Sequence, residues 1–557
     1  MKQTHTFTLR FFLIGIGLVL TTSIRAIPAS RITKTVTLVD GSVVTLRLVG
    51  DEFCHFYVDS LNQKYAKRPD GLFEKIAPSK SQQRMLRASQ MRDSKKATRL
   101  QRSAALAPRG LVILVNFQDL QFQQSNTAAV MDSMLNGANY TYDRSIGSVR
   151  KYFSDQSAGQ YTPIFDVVGP ITLPYDMAHY GTNDAEDYDV LPGDFVLHAC
   201  SIASEIPGID FSNYDFDQDG WVDFVYLIYA GYGEAESGNE NELWPISWSM
   251  PATIAYGYSS LTDYADSVQY SFGGKAIGLF AFSSELNYRT TYRNLRGFSP
   301  SNPKRNGIGT LCHEFSHVIG LKDYYDTEYG YNSSNCLTPG TYSLMDYGNY
   351  NMDGDVPPNY SNYDRYFLGW CTPTLLTDSQ EVTIPNGDYC GYCITLNDSL
   401  PTPFDTAAVY YLENRQKTGW DAGISYHGML IWKIRYDSAL WYNNQVNTIY
   451  NDPHVMLIPA GGDYYDTNAI PFPGTGNITN YNDIANHSIS NILEQDGNIS
   501  FSFSSSYIPT PDIPDEPENP EAGFENPETD NAEKYIRDGQ IYIRKNGEIY
   551  SILGTKL

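Results

Sequence analysis

Apolar and polar positions alternate along residues 32–57, in the segment TKTVTLVDGSVVTLRLVG, which turns about Asp40-Gly41. An Asp-Gly turn between alternating runs predicts a β-hairpin. From about Ser81 to Arg102 the pattern becomes polar and helix-compatible, with Arg84, Arg87, Arg92, Lys95, Lys96, Arg99 and Arg102. This shift marks a boundary. It reads equally as a solvated helix or as an exposed connector of the kind processing proteases cut. Gly110 then opens LVILVNF, a continuous apolar run of the buried-strand type. Helix-like stretches follow near Ser145 to Asp155 and Val190 to Glu205. Further buried-strand runs occupy Trp221 to Gly231 and Lys275 to Phe282, and a helix starts near Gly307. Such alternation predicts a mixed α+β domain running to about residue 380.

From Glu381 to Ser505 no convincing helical period is visible. Val409-YYLENR, Gly428-MLIWKI and Val455-MLIPA are short apolar stretches separated by Gly, Asn and Pro turns, which predicts an all-β, sandwich-like domain. Residues Pro509 to Glu533 carry nine acidic side chains and no basic one, among many prolines. Such a segment cannot bury a core and reads as an extended linker. The last stretch, KYIRDGQIYIRKNGEIYSILG, predicts three short strands around Asp538-Gly539 and Asn546-Gly547.

Composition narrows the setting. A chain of 557 residues is too long for one core. Its formal charge of -25 disfavours nucleic acid, whose phosphates need Lys and Arg partners, and anionic membranes for the same reason. At the start, Lys2 and Arg10 flank a polar segment, Phe11 to Leu20 is apolar and Ala26 is small. That is the layout of a secretory signal, with a run too short for a stable span, and a buried N-terminal helix is the alternative. Export permits disulfides, and seven cysteines leave at least one without an intramolecular partner. Cys390 and Cys393 form a single CxxC, which reads as strand packing or a local bridge rather than a zinc ribbon.

The candidate chemistry lies in His313-Glu-Phe-Ser-His317. Imidazoles four residues apart share one helical face and can hold Zn2+, and Glu314 can act as general base toward a metal-activated water. Gly320 suits the sharp turn that ends the helix, and the turn returns Asp323 toward the metal as a third ligand; the alternative for Asp323 is a turn cap. Thr341-Tyr-Ser-Leu-Met345-Asp-Tyr347 then supplies a Met-turn, with Met345 as an apolar floor and Tyr347 as a candidate donor to the oxyanion.

Asp215-Phe-Asp217-Gln-Asp219-Gly220-Trp-Val-Asp223 places oxygen ligands at alternate positions, as in the first half of an EF-hand loop. It reads as a structural Ca2+ site, with Asp223 and the Trp221 carbonyl as further ligands. Tyr226 stands where the bidentate Glu would be, and the alternative is a solvated Asp-rich turn. Cys54 is a candidate latch, its thiolate filling the open zinc position; the alternative is buried packing.

On the zinc motif, together with SVRKYFSDQSAGQY (Ser148 to Tyr161), NYDFDQDGWVDFVYLIYAG (Asn213 to Gly231), Leu243-WPISW and RYFLGWCTP (Arg365 to Pro373), the chain resembles the immune inhibitor A-like metallopeptidases over roughly residues 105 to 505. The resemblance implies a secreted, propeptide-bearing endopeptidase with a zincin/metzincin-like catalytic domain, built on a mixed sheet and an active-site helix, and a C-terminal β region. Ile246 departs from the family, many of whose members carry His there. The last strands resemble sorting tails recognised by the type IX secretion machinery; a small appended β module is the alternative. The expected division is a signal peptide (1–26), a propeptide (27–107), a zinc peptidase domain (108–380), a β-sandwich-like domain (381–505), a linker (506–534) and a tail (535–557). Protein or peptide substrates are the expected partners. The rivals are a catalytically inactive zincin-fold adhesin, which has no use for Glu314, and a zinc amidase, which the Gly320 and Asp323 continuation disfavours.

Overall fold

The structure is a computed structural model. It describes residue 29 and residues 33–505, apart from 52, 69, 94–108, 185–186, 328–337, 450, 462–469 and 485, together with three strands between 532 and 551. The signal-like segment and residues 506–531 of the expected linker therefore lie outside the described residues.

The N-terminal region is a five-stranded antiparallel sheet in chain order: β1 (Thr33–Thr37), β2 (Val43–Asp51), β3 (Cys54–Val58), β4 (Lys64–Lys67) and β5 (Phe73–Lys75). The predicted hairpin is its first pair, closed where the Ser42 amide donates to Asp40 Oδ1 at 2.9 Å. A helix, Pro78–Asp93, takes the first half of the basic stretch. Residues 94–108, the remaining connector, lie outside the described residues.

The central sheet contains β6 (Arg109–Asn116), β7 (Ile164–Thr172), β9 (Val225–Tyr229), β10 (Ile246–Ser249) and β13 (Leu279–Ser284) in the order β10-β13-β9-β6-β7. Only β10, at the edge, runs antiparallel. A parallel sheet is covered on both faces, which is why β6 reads as unbroken apolar sequence. Alternate residues then choose faces. Val112, Leu114, Tyr226, Ile228 and Ala281 pack with Phe315 and the helices Ala128–Asn136 and Val149–Gln156. Leu111, Ile113, Leu227, Phe280 and Phe282 pack on the opposite face with the helix Pro192–Ser204 and with Phe53, Cys54 and Phe56 of the N-terminal region.

The apolar run Trp221 to Gly231 is two strands rather than one. β8 (Trp221–Val222) joins a small sheet with β11 (Ser271–Phe272) and β12 (Lys275–Ile277), and β9 enters the central sheet. The break falls at Asp223, whose carboxylate turns back to accept from the Phe216 amide at 2.7 Å.

In the C-terminal region β14 (Thr374–Leu375), β16 (Tyr392–Ile394), β17 (Val409–Arg415), β18 (Gly428–Ile434) and β19 (Val455–Leu457) form one sheet. The second sheet holds β15 (Gln380–Ile384), β20 (Tyr481–Ile484), β21 (His487–Gln495) and β22 (Asn498–Ser505). Met429, Ile431 and Leu412 face the second sheet, whereas Leu430, Trp432, Ile434 and Tyr411 face the core that contains Phe315. The first sheet is thus buried on both sides, and packing continues across the expected boundary at 380. The region is also not purely β: a one-turn helix, Ser438–Tyr442, opens on Asp437, whose carboxylate accepts from the amides of Ala439 and Leu440. Cys390 bonds to Cys371 rather than to Cys393, which is a buried thiol.

In the separate unit that begins at Tyr507, β23 (Ala532–Arg537), β24 (Gln540–Lys545) and β25 (Glu548–Ser551) pair in antiparallel order around the two expected turns. Among the described residues no helix is long and apolar enough to cross a membrane.

Candidate metal centre

The motif lies on the helix Gly309–Val318, buried along its whole length. Phe315 points opposite to the two histidines, since two residues turn a helix by about 200°. Its ring meets Phe153, Phe165 and Phe224 edge-on at centroid distances of 5.1, 5.2 and 5.4 Å, which anchors the helix to the central sheet. Gly309 is required by proximity: a Cβ there would lie 2.0 Å from the Asn349 carbonyl oxygen. The helix start therefore rests directly on the segment that follows the Met-turn. At the other end Gly320 has φ +108°, a conformation that suits glycine, and its amide donates to the His317 carbonyl at 3.0 Å.

That turn brings Asp323 back over the helix. Its Oδ1 lies 3.1 Å from His313 Nε2 and 3.4 Å from His317 Nε2. His313 Nδ1 pairs with the Leu344 carbonyl at 2.8 Å, and His317 Nδ1 pairs with the Leu321 carbonyl at 3.0 Å. A carbonyl only accepts, so each Nδ1 carries a proton and each ring turns its Nε2 toward the cluster. Burial lowers the His317 pKa to about 4, so this ring is neutral at physiological pH.

His313 Nε2, His317 Nε2 and Asp323 Oδ1 thus converge in a fully buried place, and among the described residues none of the three atoms has a hydrogen-bond partner. Such a set is repulsive by itself and attractive around a cation. Ligands about 2.0–2.1 Å from a tetrahedral centre are roughly 3.3 Å apart, so the observed separations fit zinc and its preference for N and O donors. Glu314, next to the first imidazole, is buried as well, and its charge is felt by Tyr226 and Tyr350.

The Met-turn lies alongside. Met345 is fully buried in the same core as Phe315, and its carbonyl accepts from the Tyr324 amide at 2.7 Å, which fixes the segment just after Asp323. Tyr347 is half-buried, and Tyr350, three residues on, lies within electrostatic reach of both Tyr347 and Glu314.

Cys54 is elsewhere. It is buried among Phe53, Phe56 and Met85 against the face of the central sheet opposite the helix of His313. Its cluster is distinct from the core that holds Phe315 and Met345.

In the Asp-rich loop, carboxylate oxygens of Asp215, Asp217 and Asp219 lie within 4.8 Å of one another. Asp215 Oδ2 also accepts from Lys275 Nζ at 2.6 Å, so an ammonium already supplies positive charge there. Burial first, then the neighbouring aspartates, raise Asp223 to about 7. The Trp221 amide donates to Asp219 Oδ1 at 2.9 Å. Tyr226 points away from the loop and donates to Ser283 Oγ at 2.7 Å.

Sequence reading missed Asn444, which touches Asp323 from 121 residues downstream, and the Leu344 and Leu321 carbonyls that set the histidine tautomers. Nothing in the local sequence marks either, because both depend on packing.

A helix presenting two imidazoles and Glu314, with Asp323 returned to it by the turn that follows, is an arrangement suited to a metallopeptidase centre. Residues 106–370 match the family described as immune inhibitor A peptidase M6, catalytic domain. Immune inhibitor A of Bacillus thuringiensis subsp. alesti is 26% identical over 247 residues, which is 40% of this chain and 32% of the relative. Pre-pro-metalloprotease PrtV of Vibrio cholerae is 22% identical over 273 residues, 45% of this chain and 26% of the relative. A putative secreted metallopeptidase of Arthroderma benhamiae is 19% identical over 295 residues, 49% of this chain and 41% of the relative. The matches thus span between about a quarter and two fifths of the length of these relatives.

Proposed function

We propose that this chain is a secreted zinc endopeptidase made as a zymogen, with His313, His317 and Asp323 holding the metal. The observation that carries this reading is the convergence of His313 Nε2, His317 Nε2 and Asp323 Oδ1, at 3.1 and 3.4 Å, beside the buried Glu314. When bound, zinc supplies Lewis acidity, bringing a water pKa to about 7 and polarising the scissile carbonyl. Glu314 takes the proton from the attacking water and passes it to the leaving amine. Tyr347 donates its hydroxyl to the oxyanion, and Met345 is the apolar floor. Casein or quenched-peptide cleavage by the processed protein tests the reading. Glu314→Ala is expected to lose about 10²–10⁴-fold in rate with its zinc content retained. Equal rates in the two proteins refute it.

The mixed sheet, with an antiparallel edge strand above an active-site helix, supports a zincin-like domain, and the core shared by the two C-terminal sheets supports a sandwich-like region. Latency is supported by how the N-terminal sheet sits. Phe53 meets Trp248 edge-on at 5.1 Å, His55 stacks on Trp244 at 4.4 Å, Lys67 pairs with Glu240 at 3.0 Å and Arg84 pairs with Asp187. Ala29 and Leu48 pack with Ala235 and Trp244 in a small core that Tyr350 joins, and Tyr350 feels the charge of Glu314. Cleavage within residues 94–108 would free this cover. Secretion is supported by the N-terminal pattern, and a role of the tail in export rests on its strand pattern alone. The Asp-rich loop is proposed to bind calcium in exchange for Lys275.

A further inference from the structure

The carboxylate of Asp323 has two oxygens, and the structure treats them differently. Oδ1 faces the two imidazoles, whereas Oδ2 accepts from Asn444 Nδ2 at 2.6 Å. The same amide works in both directions, because Asn444 Oδ1 accepts from the Asp323 backbone N–H at 2.8 Å. This reciprocity settles which way the amide points: a backbone N–H can only donate, so the atom facing it must be the oxygen. Asn444 is fully buried, and its own carbonyl accepts from Thr327 Oγ1 at 3.1 Å, tying the same segment twice. It stands in the connection between β18 and β19, just past the helix Ser438–Tyr442, and therefore outside the stretch matched by the peptidase family.

We infer that Asn444 is a positioning residue of the metal centre, presenting Asp323 through one oxygen only, so that the C-terminal β region completes a site whose ligands all come from the catalytic domain. The inference rests on the reading of His313, His317 and Asp323 as metal ligands. A carboxylate with one oxygen held in a short, charge-assisted hydrogen bond cannot turn to chelate with both oxygens or swing away from the imidazoles. Partners of this kind orient metal ligands, and their loss costs about 10–100-fold in metal affinity. The position is also suited to a clean test, since Asn444 has φ +50° and glycine adopts that conformation without strain.

The experiment is a zinc titration of the full chain by chelator competition, with the visible spectrum of the cobalt-loaded protein as a second readout. Asn444→Gly removes the side chain and keeps the backbone. Asn444→Asp keeps the shape and the acceptor while losing the donor to Oδ2. Both are expected to weaken zinc binding by 10–100-fold and to change the cobalt spectrum, with the near-ultraviolet circular dichroism of the metal-free protein unchanged. If Asn444→Gly does not fold, the near-isosteric Asn444→Asp decides alone. Zinc affinity within twofold of wild type and an unaltered cobalt spectrum in a folded variant overturn the inference. His317→Ala in the same titration separates the two levels: if it binds zinc as tightly as wild type, the metal-ligand reading itself falls.

Discussion

Replacing Phe315 with alanine removes an aromatic ring through which the helix of His313 packs toward the central sheet. Phe315 is 2% exposed, and its ring meets Phe153, Phe165 and Phe224 edge-on at 5.1–5.4 Å. Truncating a buried Phe to Ala costs about 3–5 kcal/mol, through lost transfer energy and the cavity left behind. Each aromatic pair contributes about 0.5–1.5 kcal/mol beyond area, so the three pairs account for a large share of that cost. The expected fall in melting temperature is on the order of 5–10 °C, read by circular dichroism on the metal-free protein. Phe315→Leu keeps apolar volume and loses the edge-on geometry, and should fall between wild type and Phe315→Ala. Zinc affinity should drop along with stability, because the same helix carries both imidazoles. A melting temperature within about 2 °C of wild type for Phe315→Ala would refute the anchoring argument, and Phe315→Leu as unstable as Phe315→Ala would refute its aromatic part.

Arg415 is buried and pairs with Glu413 at 2.9 Å and with Asp421, and its guanidinium also reaches the Asn359 carbonyl at 3.1 Å. Arg415→Ala leaves two buried carboxylates without their cation and should cost about 3–5 kcal/mol; replacing both acids by amides in that background should recover part of the loss, as read by urea unfolding. Burial first, and then Asp189, raise Glu234 well above the usual carboxyl range, and burial does the same for Asp189. Their stabilising contribution is full below their unfolded values and is lost as pH rises through the raised ones. Between pH 7 and 9 the melting temperature should therefore fall, and Glu234→Gln should flatten the slope; a flat wild-type profile contradicts this. Calcium at about 100 times its dissociation constant should stabilise the protein by about 2.7 kcal/mol. Asp217→Asn should abolish that gain and Lys275→Met should tighten calcium binding, and identical melting in calcium and in EGTA would rule out the loop as a calcium site.

The zinc motif was legible because its logic is local. A four-residue spacing puts two imidazoles on one face of any helix, and Gly320 announces the turn that follows. The strands of the central sheet were legible as apolar runs, yet Trp221 to Gly231 was read as one strand, because apolar periodicity does not show that Asp223 turns back to the Phe216 amide and bends the chain. The helix Ser438–Tyr442 escaped notice because one turn is too short to display a helical period, and its cap, Asp437, reads equally as an ordinary turn residue. The Cys54 latch meets the same limit of a local reading. Whether a thiol reaches a metal depends on which face of a distant sheet its strand packs against, and on that point the local pattern is silent.

What the residues determined by themselves was the spacing that puts two imidazoles on one helical face, the alternation that builds a covered sheet, and the acidic character of the chain. Tertiary structure alone decided which oxygen of Asp323 faces the imidazoles, which carbonyls hold the histidine tautomers, and that Asn444, 121 residues away, reaches the site. The division has a physical cause. Backbone geometry repeats over a few residues and leaves its period in the sequence, whereas a hydrogen bond between segments brought together by two packed sheets has no repeat from which it could be read.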